Sequence, residues 1–302
     1  MRKNLFYSLI VAATAMFGAS CNAQKANEGA TGRDSTYTAI IQPEWTRNAV
    51  IYEVNLRQYT PSASAKEFAT HLPRLKELGV DILWFMPIHP ISEVNRKGEL
   101  GSYYAVKDYK AFNPEFGTID DFKAVVDQAH ELGMKVVLDW VPNHTGCDNA
   151  WVTEHPEWFS LNEEGKMYGP FDWTDVFELN YDNREMRAAM VDALKFWLTD
   201  INVDGFRFDG VTSMLYHDHG LGTDFNSNDK YFSMNTHTEA ITYLQLANEL
   251  IREVNPNAIT VAEDMSGMPG MCLPIEDGGM GFNYRLAMGL PDMWIRTVKE
   301  KS

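Results

Sequence analysis

The chain has 302 residues, with 26 lysines and arginines against 42 aspartates and glutamates, a formal net charge of −16, 45% hydrophobic side chains and 12% aromatic ones. Such a composition excludes a disordered chain, and the length suffices for one large barrel-type domain or two ordinary ones. The negative charge argues against nucleic acid or an anionic membrane surface as a partner, because both would repel it at long range.

Arg2 and Lys3 precede the apolar run from Leu5 to Phe17, and Gly18-Ala19-Ser20-Cys21 follows with small residues before a cysteine. This pattern reads as a secretory signal, and the run is too short to span a membrane. Residues 1–21 are expected to be a signal peptide of the lipoprotein type, although Gly18 stands where that signal usually carries Leu. Cleavage after Ala23 is the soluble alternative. The expectation is an exported chain, periplasmic or on the outer surface, touching a membrane only through a lipid on Cys21. Residues 22–44 then read as a linker. With Cys21 acylated, Cys147 and Cys272 remain and do not define a disulfide framework.

From residue 49 the chain alternates strand and helix signals. Residues 49–55 form a strand-like run, and Ser64 to Glu67 supply a capping-box start to a helix with Phe68, Leu72, Leu75 and Leu78 on one face, closed by Gly79. A second strand is expected over 81–85. After a long aromatic loop, Thr118 to Asp121 open a helix carrying Phe122, Val125, Ala129 and Leu132 on one face, ended by Gly133. The segment KELGVDIL recurs as HELGMKVV, a helix, glycine and strand unit that argues for parallel strands joined by crossover helices. A third strand follows over 135–140. A helix with Met186, Met190, Leu194 and Trp197 leads to a strand over 203–209, and one with Ala240, Leu244, Ala247 and Ile251 leads to a strand over 258–263. Five such strands without a dinucleotide fingerprint favour an α/β barrel over a Rossmann sheet.

Asp139, Asp209 and Glu263 each stand at the C-terminal end of a predicted strand, where barrel enzymes place their chemistry. On the fourth strand the two-residue period sets Arg207 and Asp209 inward and Phe206 and Phe208 against helices. An inward arginine predicts a lowered pKa for Asp209, and the apolar Val261 and Ala262 predict a raised one for Glu263. One charged and one protonable carboxyl are the equipment of a retaining glycosidase, whereas a structural ion pair explains Arg207 and Asp209 equally well when those two are taken alone.

The segments LDWVPNH (138–144), DGFRFD (204–209), VAED (261–264) and GSYYAVKDYKAFNPEFGT (101–118) resemble signature regions of the α-amylase family, glycoside hydrolase family 13. The resemblance runs from about residue 45 onward and implies a TIM-type barrel over 45–302, with a small inserted subdomain at 146–183. It implies Asp209 as nucleophile, Glu263 as acid/base and Arg207 as the group orienting the nucleophile. It also implies Asp139 as structural within the site, His144 bonding the sugar, Tyr104 stacking on it, and Asn143 matching a calcium ligand of many members. No cofactor is otherwise required. Residues 45 to about 200, including WTDVFELNYDNREMR, resemble bacterial exported α-amylases; residues 204–296 resemble glycogen branching enzymes. A natural hybrid, an assembled mosaic and a designed recombinant all fit that division.

The family's remaining signature, a His-Asp pair after the seventh strand, has no counterpart within these residues, which reach a sixth strand and its helix. An incomplete barrel with strands one to about six is therefore expected. The implied function is retaining hydrolysis of starch- or glycogen-type α-glucan. The alternatives are transfer of a glucan branch, or a non-catalytic glucan-binding remnant because the third catalytic Asp is absent. Trp151, Trp158 and Trp173 are candidates for stacking on sugar rings, though local packing explains each of them as readily. His217-Asp218-His219 has a metal-ligand spacing but no further His or Cys close by in sequence.

Overall fold

A computed structural model describes residues 40–301. The signal peptide, Cys21 with its expected lipid and most of the linker lie outside the described residues. Six parallel strands form one sheet in the order β1 (Ile51–Val54), β2 (Ile82–Phe85), β3 (Lys135–Trp140), β6 (Gly205–Phe208), β7 (Ile259–Ala262) and β8 (Tyr284–Arg285). The sheet is a half-barrel, an incomplete TIM barrel. Between β3 and β6 the short antiparallel pair β4 (His144–Gly146) and β5 (Val176–Glu178) leaves the sheet.

Alternation along each strand sorts the side chains. Phe206 and Phe208 join Leu138, Trp140, Leu83 and Phe85 in a core beneath the helices, while Ile82, Val137, Ile259 and Val261 form the inner face. The helices covering the outer face are α3 (Ile119–Glu131), α4 (Arg184–Thr199) and α6 (Thr238–Val254), each burying the apolar stripe that its period predicts. Thr118 and Asp121 close a reciprocal capping box on α3. At Gly205, with φ +153°, a Cβ would lie 2.1 Å from the Ile259 carbonyl, so only glycine lets β6 approach β7.

The first predicted helix is corrected. It forms two short pieces, α1 (Ala65–Ala69) and α2 (Leu72–Glu77), because Pro73 has no N–H and is accommodated only in a new first turn. Ser64 makes no side-chain cap, since Glu67 is bound by Ser62 instead. Leu78, placed on the buried face by its spacing, is 66% exposed past the end of α2. Both Cys147 and Cys272 are free thiols. Among the described residues no helix is long and apolar enough to cross a membrane.

His89 sits fully buried among Tyr109, Trp140 and Trp197, with Nδ1 at 3.3 Å from the Ala111 carbonyl and Nε2 without a partner. Burial pushes its pKa down to about 4. Below about pH 6.5 the unfolded imidazole takes up a proton that the folded one refuses, so this contribution is present above pH 6.5 and is lost as pH falls toward 4. The loss amounts to about 3 kcal/mol. Urea unfolding at pH 7 and pH 4.5 should show a smaller acid loss for His89→Phe than for the parent chain; equal losses would refute it.

Candidate active site

The C-terminal ends of β3, β6 and β7 carry Asp139, Asp209 and Glu263 to one point, and the parallel register pairs Asp139 with Arg207 and Arg207 with Val261. The Arg207 guanidinium lies between all three acids. Its Nη1 is 2.7 Å from Asp139 Oδ1 and 2.7 Å from Asp209 Oδ1, and its Nη2 is 3.1 Å from Glu263 Oε2. From below, the Trp84 ring on β2 faces the guanidinium carbon at 5.2 Å. Three carboxylates around one cation leave a net negative site, and they raise the arginine's pKa further.

One expectation about protonation changes, and one about setting. Asp209 was expected to have a lowered pKa; instead it is pushed up to about 6, because burial and the neighbouring Glu263 outweigh Arg207. The two side chains are close enough to share a hydrogen bond when Asp209 is protonated, which favours its neutral form. Glu263 does not sit in the apolar setting that Val261 and Ala262 suggested. Its side chain extends past the strand, where Oε2 accepts the Gly210 N–H at 2.8 Å beside the Arg207 contact. Asp139 is fully buried, and desolvation raises its pKa well above the usual carboxylate range despite Arg207.

A cavity of about 450 Å³ opens above this floor, with Tyr104, His144, Asp209, Glu263, Phe171 and Trp173 in its wall. Asp139 and Arg207 do not reach the wall; they lie beneath it and hold what does. Tyr104 donates its hydroxyl to Asp139 Oδ2 at 3.2 Å, leaving its ring in the wall. His144 is buried, and its pKa is pushed down to about 4, so the ring is neutral near pH 7. It is fixed between the Asn143 amide, 3.2 Å from Nδ1, and the Tyr104 backbone.

Of the three tryptophans, Trp173 alone lines the cavity, edge-on to His144 at 5.1 Å. Trp151 packs on Tyr109, and Trp158 stacks on His155. Sequence reasoning missed Phe171, whose ring leans on Trp173, and Lys97, which pairs with Asp175 at 3.0 Å in the same wall. Neither carries a local signal. Gly210 was also missed, although the Asp-Gly dipeptide that ends the strand marks a turn, and the residue does adopt φ +60°.

The calcium expectation rests on Asn143, whose Nδ2 lies 3.2 Å from His144 Nδ1, leaving its carbonyl oxygen as the atom a cation would meet; Asp175, the carboxylate that acts on that imidazole, is paired with Lys97 at 3.0 Å. Calcium requires about six to eight oxygens. Among the described residues no group of His, Cys, Asp and Glu at metal-ligand spacing includes Asp175.

Comparison with known proteins places this geometry in context. The family described as "Alpha amylase, catalytic domain" matches residues 66–178 and 154–279. A 1,4-alpha-glucan-branching enzyme of Aspergillus oryzae is 39% identical over 273 residues, covering 88% of this chain and 38% of the relative. Among solved structures, an alpha-amylase from Lactobacillus plantarum superposes with a TM-score of 0.61 at 39% identity, over 73% of this chain and 46% of its own. The maltogenic alpha-amylase AmyB of Thermotoga neapolitana does so with a TM-score of 0.58 at 32% identity, over 72% and 46%. The chain thus spans less than half the length of these proteins.

Proposed function

The chain belongs to the α-amylase family of glycoside hydrolases, and from that premise we propose that it cleaves α-glucans by a retaining double displacement. The observation that carries this reading is the single guanidinium that holds Asp209 and Glu263 side by side on the floor of an aromatic-walled cavity. In retaining glycosidases the two carboxyls stand about 5 Å apart, too close to admit a water between them and the sugar, and two acids bridged by one guanidinium are of that close kind.

In the first step the Asp209 carboxylate attacks the anomeric carbon while Glu263, in its acid form, protonates the leaving glycosidic oxygen. The C–O bond to the leaving chain breaks and a glucosyl ester on Asp209 forms. In the second step an acceptor hydroxyl attacks that carbon, its proton passes to Glu263, and Asp209 is released. Tyr104 and Trp173 would present ring faces to the sugar, and His144 a neutral imidazole to its hydroxyls. Arg207, fixed by Asp139 and Trp84, would hold Asp209 in line.

The acceptor decides the reaction. Water gives hydrolysis, and a second glucan chain gives a branch. Similarity to branching enzymes over 88% of this chain favours transfer, while the solved amylases favour hydrolysis. Incubation of the 302-residue chain with amylose separates them: hydrolysis adds one reducing end per cleavage, whereas transfer adds branch points with no net gain. A folded chain that binds amylose and yields neither would overturn the catalytic reading in favour of glucan binding.

We also propose export with a lipid on Cys21, supported by the basic start, apolar run and small residues before that cysteine. Cys21→Ala should move the chain from the membrane fraction to the soluble one; an unchanged distribution would count against the anchor.

A further inference from the structure

Away from the cavity, the fold assembles side chains that are far apart in sequence. The His217-Asp218-His219 segment has no histidine near it along the chain, yet the fold lays His237 beside His217, with ring centres 4.6 Å apart. The ring of His237 faces Asp182, Nε2 lying 3.3 Å from Oδ1. Ligand atoms of Asp182, His237 and Glu239 all lie within 4.8 Å of one another. From this convergence we propose a binding site for a divalent transition metal, zinc-like in its preference, built from Asp182, His237 and Glu239 with His217 as the adjoining fourth ligand.

The donors come from three anchored segments. Asp182 lies in the turn before α4, where its N–H is bound by the Asn180 side chain. His217 and His237 sit on facing strands of a narrow loop, tied by the bridge between Tyr216 and Thr236, by His217 N–H to the Asn235 carbonyl and by His237 N–H to the Leu215 carbonyl, both at 2.8 Å. Glu239 is in the first turn of α6, and the Thr238 hydroxyl holds its carboxylate at 2.8 Å.

An ordinary ion pair would account for Asp182 and His237 alone. It does not account for a second carboxylate and a second imidazole at the same spot. Neither carboxylate forms a described ion pair with lysine or arginine, and Arg187 bonds the Glu239 carbonyl at 3.5 Å instead. Two imidazoles with two carboxylates suit zinc and its neighbours better than calcium or magnesium, which prefer all-oxygen sets. Around a tetrahedral ion with bonds near 2.1 Å the ligand atoms would close to about 3.4 Å apart. The Asp182 side chain, 71% exposed, is free to make that adjustment.

A bound ion would staple the turn before α4 to the 216–239 segment. That segment continues from helix α5 (Val211–Leu215), whose Thr212 and Ser213 line the cavity, so the metal would brace one wall of the site without touching substrate.

The test uses the whole chain, stripped with a chelator and titrated with zinc by calorimetry and with cobalt by visible absorption. The expected result is one saturable site per chain, a raised melting temperature with zinc, and cobalt bands showing nitrogen ligation. His237→Ala and Glu239→Gln should each weaken binding by about tenfold or more, since even losses in the outer shell of metal sites reach that size. His155→Ala, on a half-buried histidine elsewhere, should leave binding unchanged. Circular dichroism checks that each variant is folded, and Glu239→Gln, at a surface helix start, keeps the test decisive if His237→Ala is not. No saturable uptake, or uptake indifferent to both substitutions, would overturn the site.

Discussion

Asp209→Asn should abolish glucan cleavage, lowering kcat/KM on amylose by about 10⁴-fold or more, because the amide cannot form the glucosyl ester. The substitution keeps the side chain's size and its place beside Arg207, so the fold should survive. Glu263→Gln should lose comparable activity on amylose for a different reason, the missing proton for the leaving oxygen. The two separate on a glucosyl donor whose leaving group departs without protonation, such as glucosyl fluoride. There Glu263→Gln should still form the ester, and Asp209→Asn should not. Ester formation by Asp209→Asn, or more than a tenth of parental activity on amylose, would remove Asp209 from the role proposed for it.

Arg207→Leu should be the most destabilising single change at the site. Among the described residues it removes the only cation hydrogen-bonded to Asp139, whose side chain is wholly buried, and it leaves Asp209 and Glu263 facing one another. Breaking a buried pair from one side costs about 3–5 kcal/mol. Asp139 and Asp209 already hold their protons to higher pH than unfolded carboxyls do, and without the cation they hold them higher still. The folded state loses ground from the pH where unfolded carboxyls ionise up to the pH where these two do, a window that the substitution extends upward, so the deficit against the parent should be larger at pH 8 than at pH 5. Arg207→Lys restores the charge but not the fork, because one ammonium cannot meet three carboxylates as two guanidinium nitrogens do, and it should recover only part of the loss. Urea denaturation of all three chains at both pH values measures this. A parental midpoint for Arg207→Leu at pH 8 would show that the guanidinium contributes nothing to the fold.

Much of this architecture was legible in the chain. Strand and helix alternate in a repeated unit, and the periods that placed Phe122, Val125 and Ala129 on one face of α3, and Phe206 and Phe208 opposite Arg207, are local properties written in consecutive residues. So is the position of Asp139, Asp209 and Glu263 at strand ends. Reading failed where a local rule met a competing one. Pro73 split the first helix, Ser62 took the glutamate that the capping box needed, and Leu78 was left past the helix end.

The identity of the residues that meet was another matter. The register between β3 and β6 sets Asp139 against Arg207, 68 positions apart, and only that register makes one guanidinium serve three acids. The direction of the Asp209 shift followed from the same source. The sequence showed an arginine two residues away, but not the burial or the glutamate delivered by β7, and together these outweigh it. Trp173 reaches the cavity while Trp151 and Trp158 pack inward, and nothing in the three residues' neighbours distinguishes them. Periodicity is a short-range quantity carried by each segment, whereas charge coupling, desolvation and the convergence of His217 with His237 depend on distances that exist only once the sheet and its loops are assembled.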